Sequence, residues 1–270
     1  MDAPIGVFDS GVGGLTVVKE IMRQLPGENL VYFGDTARVP YGSKSKITVC
    51  KYSRQIVRFL QTKNVKAVVV ACNTASALAL DEIRDEIDIP VLGVVEPGAV
   101  MAAKTTRTKN IGIIGTESTI KSGIYNKFLH RIDPDITVVS KACPLFVPLV
   151  EEGLWEDRVT EDIVGRYLHE LKEYDIDALI LGCTHYPLLR RIIGQEMGEN
   201  VKLVNPAYET AKSLKTLLTE KDLLNTTGID EKEPSYDYFV SDGVEKFISF
   251  ADDVLSCHVE KAEIIDIESF

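Results

Sequence analysis

The sequence predicts an α/β protein of two pseudo-symmetric domains with mainly parallel sheets and an active site at the interface between them. Three observations lead there. Short, nearly all-apolar runs alternate with amphipathic segments, as expected for strands covered on both faces by helices. Four sequence features recur in the same order at a spacing of 106 to 111 residues. Two of these, "AVVVAC" ending at Cys72 and "ALILGC" ending at Cys183, each put a thiol at the end of a strand-like run.

Taken in order, "IGVFD" (5–9) reads as a strand. Leu15, Val18, Ile21, Met22 and Leu25 then share one helical face, which Pro26-Gly27 ends. "NLVYFGD" is a second strand, Ile56, Phe59 and Leu60 mark a helix, and "KAVVVAC" is a third strand. A single helix carrying Leu78, Ile83 and Ile87 is expected up to Pro90, followed by a fourth strand, "VLGVVEP". The pattern then restarts. "IGVFDSG" is echoed by "IGIIGTE" (111–117), the Val-Pro of 39–40 by that of 147–148, and "VVEP" (94–97) by "LVNP" (203–206). This reads as an internal duplication. Residues 1–97 form the first domain and 98–206 the second, and 207–270 is expected to return to the first. That last segment holds a helix with Ala211, Leu214, Leu217 and Leu218, a polar stretch "NTTGIDEKEPS" and a strand-like "YDYFVSD".

A chain of 270 residues with 45% apolar and 26% charged side chains has an ordinary globular composition. Its net charge of −11 argues against wrapping nucleic acid or lying on an anionic membrane, and no basic block offsets it. The start, MDAPIGVFDSG, has no charged region ahead of a long apolar stretch, and no apolar run could span a bilayer. A cytoplasmic protein is expected. Five cysteines, an odd number without close pairing, are expected to be thiols.

In a parallel α/β sheet, ligands sit beyond the carboxyl ends of the strands, where helices begin. Cys72 and Cys183 both occupy that position. Asn73 and Thr74 are expected to cap the helix after Cys72, and Pro187 to stand in the first turn after Cys183. A helix N-terminus favours a thiolate. Two facing thiols suit a reaction that takes a proton from one face of a carbon and returns it to the other, a cofactor-free racemisation. Ionising an ordinary thiol at pH 7 costs only about 2 kcal/mol. Asp9 at the end of the first strand, Glu151 beyond "PLFVPLV" and His185 beside Cys183 are candidates to tune the thiols. The run "DSGVGG" (9–14) lacks a nucleotide-loop pattern and suits close backbone approach to an anionic group. A zinc site on Cys72, Cys183 and His185 would lack a CxxC pair and a fourth ligand, so no metal is expected. Cys50, Cys143 and Cys257 are read as structural, and His130, His169 and His258 as surface residues.

With "FDSGVGGLTV", "GDTARVPYG", "ACNTAS" and "LGCTHYPLL" in this order, the chain resembles the glutamate racemases of the cofactor-independent aspartate/glutamate racemase group. The resemblance implies interconversion of L- and D-glutamate without a cofactor, supplying D-glutamate for peptidoglycan, and a homodimer. It implies that Cys72, assisted by Asp9, is the base acting on D-glutamate. Cys183, assisted by Glu151 and His185, is the base acting on L-glutamate. Asp9, Ser10, Tyr41, Gly42, Asn73, Thr74, Thr116, Thr119, Thr184 and His185 would hold the substrate. One stretch departs from the pattern: "VNPAYETA" (204–211) stands where an Asp-Ser turn is expected. Three other readings compete: a racemase of another small dicarboxylate, a cysteine hydrolase using Cys183 and His185, and a two-lobed binding module.

Overall fold

A computed structural model describes residues 2–226, 233–255 and 257–270. Of the polar stretch 225–235, residues 227–232 lie outside the described residues. The strands are β1 (Ile5–Asp9), β2 (Leu30–Gly34), β3 (Ala67–Val70), β4 (Val91–Gly93), β5 (Asn110–Gly115), β6 (Thr137–Ala142), β7 (Ala178–Gly182), β8 (Lys202–Val204), β9 (Tyr236–Val240) and β10 (Glu263–Ile264). They form one sheet in the order β10-β9-β2-β1-β3-β4 and another in the order β6-β5-β7-β8. Every neighbouring pair is parallel. The strands β1, β2, β3, β5 and β7 are apolar and buried almost throughout, because helices cover both faces.

The duplication is visible in the topology. β2-β1-β3-β4 and β6-β5-β7-β8 have the same order, and their registers correspond: Ile5 pairs with Ala67 as Ile111 pairs with Ala178. In this doubly wound order the connections leave β1 and β5 on opposite faces toward their two neighbours. A crevice therefore opens at the carboxyl ends of β1 and β3, and of β5 and β7. Those ends carry Asp9 and Cys72 in one sheet, Thr116 and Cys183 in the other.

Three expected elements differ. The helix expected up to Pro90 is two helices, Asn73–Leu78 and Leu80–Arg84, broken at Ala79 (φ −122°). The break lets Leu80 close over Gly93, where an added Cβ would lie 2.8 Å from the leucine Cδ2. The strand expected over 91–97 stops at Gly93, and "VVEP" opens the helix Val95–Thr105, with Glu96 and Pro97 suited to its first turn. Its echo "LVNP" is a similar joint, ending β8 and opening the helix Pro206–Glu220. Glu151 closes a short helix, Phe146–Glu151, rather than following a strand or loop. That helix buries Phe146 and Val150 and turns Glu151 toward His185. In the last segment, β9 pairs with β2, and the 206–220 helix is capped by Asn205, whose side chain accepts from the Ala207 N–H at 3.0 Å. The asparagine thus performs the capping job of an Asp or Ser in the departing stretch.

Candidate active site

Cys72 and Cys183 line one cavity of about 30 Å³ between the two sheets. The walls beside Cys72 are Ser10, Gly11, Asn73 and Thr74; those beside Cys183 are Thr184, His185 and Glu151. Val39, Pro40, Tyr41, Gly42, Thr116 and Val147 close it. Both thiols are nearly buried, at 5% and 6% exposure.

Around Cys72 the sulfur itself caps the helix Asn73–Leu78, accepting from the Ala75 N–H at 3.4 Å. This corrects the expectation that Asn73 and Thr74 are the caps. With the sulfur in that role, both side chains are free to point elsewhere, and Asn73 and Thr74 line the cavity. The Cys72 thiol also donates to the Ser10 hydroxyl at 3.5 Å. The helix end does not win the thiolate here. Burial, with the Asp9 carboxylate adding to it, pushes Cys72 up to about 12. Ionising it at pH 7 in this arrangement costs on the order of 7 kcal/mol rather than about 2.

Asp9 is fully buried and does not line the cavity. One carboxylate oxygen accepts from the Gly11 N–H at 3.0 Å, and the other from the Thr184 hydroxyl at 3.4 Å. Burial raises its pKa against the lowering influence of His185 and the nearby backbone N–H groups. In this structure it reaches the cavity by charge and through Thr184 rather than as part of the wall. Thr119 also stands behind the wall, its hydroxyl within 3.3 Å of Thr74 and 3.0 Å of Thr116. Thr74 and Thr116 meet across the two sheets at 2.9 Å.

Around Cys183 the sulfur lies 3.7 Å from Nδ1 of His185, whose Nε2 lies 3.1 Å from Glu151. Burial alone would lower the histidine; its bonds to Cys183 and Glu151 overcome this and raise it to about 10. Burial alone would raise Glu151, and the hydrogen bond and charge of His185 hold it below its ordinary value. A protonated imidazole then donates from both nitrogens, bridging thiol and carboxylate. The backbone here needs Gly13, because a Cβ there would lie 2.4 Å from both His185 Nδ1 and the Thr184 hydroxyl. Thr16 holds the same turn, donating to the Thr184 carbonyl at 2.9 Å.

The Tyr41 side chain is occupied elsewhere: its hydroxyl donates to the buried Asp35. Asp35 also accepts from Arg38 at 2.8 Å and from Ser241 at 2.9 Å, so this wall is tied to the segment after β9. Gly42 sits against Thr116, where an added Cβ would lie 2.7 Å from the threonine Cβ. Sequence reading missed Val39 and Val147 as cavity walls, although the repeated Val-Pro pair marked both. It also missed Asp35 and Thr16, which join distant parts of the chain through Ser241 and the Thr184 carbonyl. Cys50 and Cys143 are buried away from the cavity, and Cys257 is exposed.

Residues 5–214 match the family model for Asp/Glu/hydantoin racemases. The chain belongs to this family. It is 54% identical over 245 residues to the glutamate racemase of Geobacter metallireducens, covering 90% of this chain and 89% of that one. Its fold is similar to that of the glutamate racemase RacE1 of Bacillus anthracis, with TM-score 0.93 and 43% identity over 98% of this chain and 97% of the other. The Francisella tularensis glutamate racemase, solved in complex with D-glutamate, has TM-score 0.92 and 41% identity over 100% of this chain and 99% of that one.

Proposed function

We infer that this chain interconverts L- and D-glutamate by proton transfer between two thiols, without a cofactor. The observation that carries the reading is the placement of Cys72 and Cys183 at equivalent strand ends of two like sheets, both lining one cavity. The glutamate racemases to which the chain is similar support the choice of substrate. In one direction the Cys72 thiolate takes the α-proton of D-glutamate, and the Cys183 S–H gives a proton to the opposite face. L-glutamate forms, with Cys72 left as thiol and Cys183 as thiolate. The reverse direction exchanges the roles.

The environment suits that chemistry. A Cys72 with its pKa near 12 is a strong base once ionised, which an α-proton requires. The substrate ammonium would supply the positive charge that offsets ionisation in this closed site. Asn73 and Thr74 can donate to a substrate carboxylate, and Thr184 can meet it through its backbone N–H. Ser10, Tyr41, Gly42, Thr116 and His185 complete the contacts, with Tyr41 acting through its backbone. Asp9 modulates Cys72 by charge; His185 and Glu151 serve Cys183.

The units 1–97 plus 207–270 and 98–206 are read as the two domains, supported by the pairing of β9 with β2. Two thiols required for turnover support a reducing compartment, the cytoplasm, where D-glutamate would feed peptidoglycan synthesis. A homodimer follows from the resemblance and is tested by sedimentation. Incubation with L-glutamate in heavy water tests the reaction. D-glutamate carrying deuterium at the α-carbon is expected, and Cys72→Ala or Cys183→Ala should abolish it. Full racemisation by either variant would refute the two-thiol mechanism, and turnover of aspartate alone would refute the substrate.

A further inference from the structure

Tyr125 touches the surroundings of both thiols without lining the cavity. It stands on the helix Ile124–Ile132, in the half of the chain that carries Cys183, and is 2% exposed. Its ring edge packs on Gly182, next to Cys183, where an added Cβ would lie 3.3 Å from the tyrosine Cε2. Its hydroxyl donates to Oδ1 of Asn73, next to Cys72, at 2.7 Å.

An asparagine side chain can present either an acceptor or a donor to the cavity, and the hydrogen-bond network decides which. Burial pushes the Tyr125 hydroxyl well above its ordinary value, so it stays protonated and donates. The hydroxyl could also accept from an amide NH₂, but among the described residues Asn73 Oδ1 is the one acceptor within its reach, so a flipped amide would leave the buried O–H unsatisfied and the oxygen takes the bond. Among the described residues no partner takes the Asn73 Nδ2, so the NH₂ is the group left for the cavity that Asn73 lines.

We propose that Tyr125 is a positioning residue for the reaction: it locks the Asn73 amide with its NH₂ toward the cavity, so that a substrate carboxylate meets a donor beside Cys72. The lock rests on the reading of Asn73 as a substrate contact. It also spans the two halves of the chain, so Asn73 is set only when they are closed against each other. A carboxylate facing the amide oxygen instead would be repelled, so binding is what the lock controls.

The test is a double-mutant cycle, with KM and kcat measured for both enantiomers and thermal melts recorded alongside. Tyr125→Phe is expected to raise KM about tenfold with kcat within about threefold, and to add nothing to KM in an Asn73→Ala background. An equal rise in both backgrounds makes the role purely structural and overturns the proposal. Unchanged KM in Tyr125→Phe with raised KM in Asn73→Ala overturns the lock but keeps Asn73 as a contact. Unchanged KM in Asn73→Ala removes the contact and the lock with it, while racemisation by the wild type still upholds the function. Should Tyr125→Phe not fold, Asn73→Asp carries the test. Its carboxylate still accepts from Tyr125 and turns an acceptor to the cavity, so KM must exceed that of Asn73→Ala; a KM no higher overturns the lock.

Discussion

Cys72 and Cys183 hold equivalent positions, yet one has a hydroxyl in contact and the charge of a buried carboxylate nearby, the other an imidazole–carboxylate pair. The second arrangement has a consequence for stability. His185 is raised from 6.5 to about 10, so folding gains from its protonation fully below pH 6.5, and that gain is lost as pH rises toward 10. Urea unfolding at stepped pH should show the fold weakening across this window, and Glu151→Gln, which removes one of the two supports, should flatten the decline. Gly13→Ala should fold but lose at least about a hundredfold in kcat/KM, because the new methyl would displace His185 and Thr184 from the thiol. The positions of the thiols and His185 were legible in the sequence because strand ends and close neighbours are local facts, whereas Glu151 meets His185 from a helix 34 residues away. Depth is not local: Asp9 and Thr119 carry the right chemistry but stand one layer behind the wall, and nothing in the spacing distinguishes that from contact.

At the level of elements, strand positions were readable from apolar runs, and helix boundaries less so. The break at Ala79 and the early end of β4 at Gly93 arise where Leu80 packs onto Gly93 itself, a tertiary contact that local periodicity cannot carry. The cap on the helix Asn73–Leu78 was assigned to the wrong residue for a related reason, since sulfur is not a usual capping atom. This gives a separable outcome. Cys72→Ser should keep the cap and the stability, while Cys72→Ala should cost up to about 1 kcal/mol in urea unfolding, with both inactive. Asn205→Ala should cost about 1 kcal/mol through the helix Pro206–Glu220, and Asn205→Asp should not.

Across the whole molecule, the duplication was legible from four echoes, and the shared strand order explains why they fall in register. What no echo could reveal is the seam. Thr16 bonds the Thr184 carbonyl, Thr74 meets Thr116, and Ser118 donates to the Gly42 carbonyl at 2.8 Å and that of Lys44 at 3.3 Å. These contacts close a cavity of about 30 Å³, room for two or three waters and not for glutamate. Substrate admission therefore needs the walls of this cavity to move, and the contacts across the seam are the ones that would yield. Hydrogen exchange over residues 41–46 and 114–122 should slow when D-glutamate is added, and Ser118→Ala should speed it in the free protein. The unequal surroundings of the two thiols also meet a limit that no structure can relax. Mirror-image substrates have the same free energy in water, so the equilibrium constant is one, and the Haldane relation makes kcat/KM equal in the two directions. The asymmetry between Ser10 and His185 can make one enantiomer bind tighter and turn over more slowly, but any substitution on either side must change both efficiencies by the same factor.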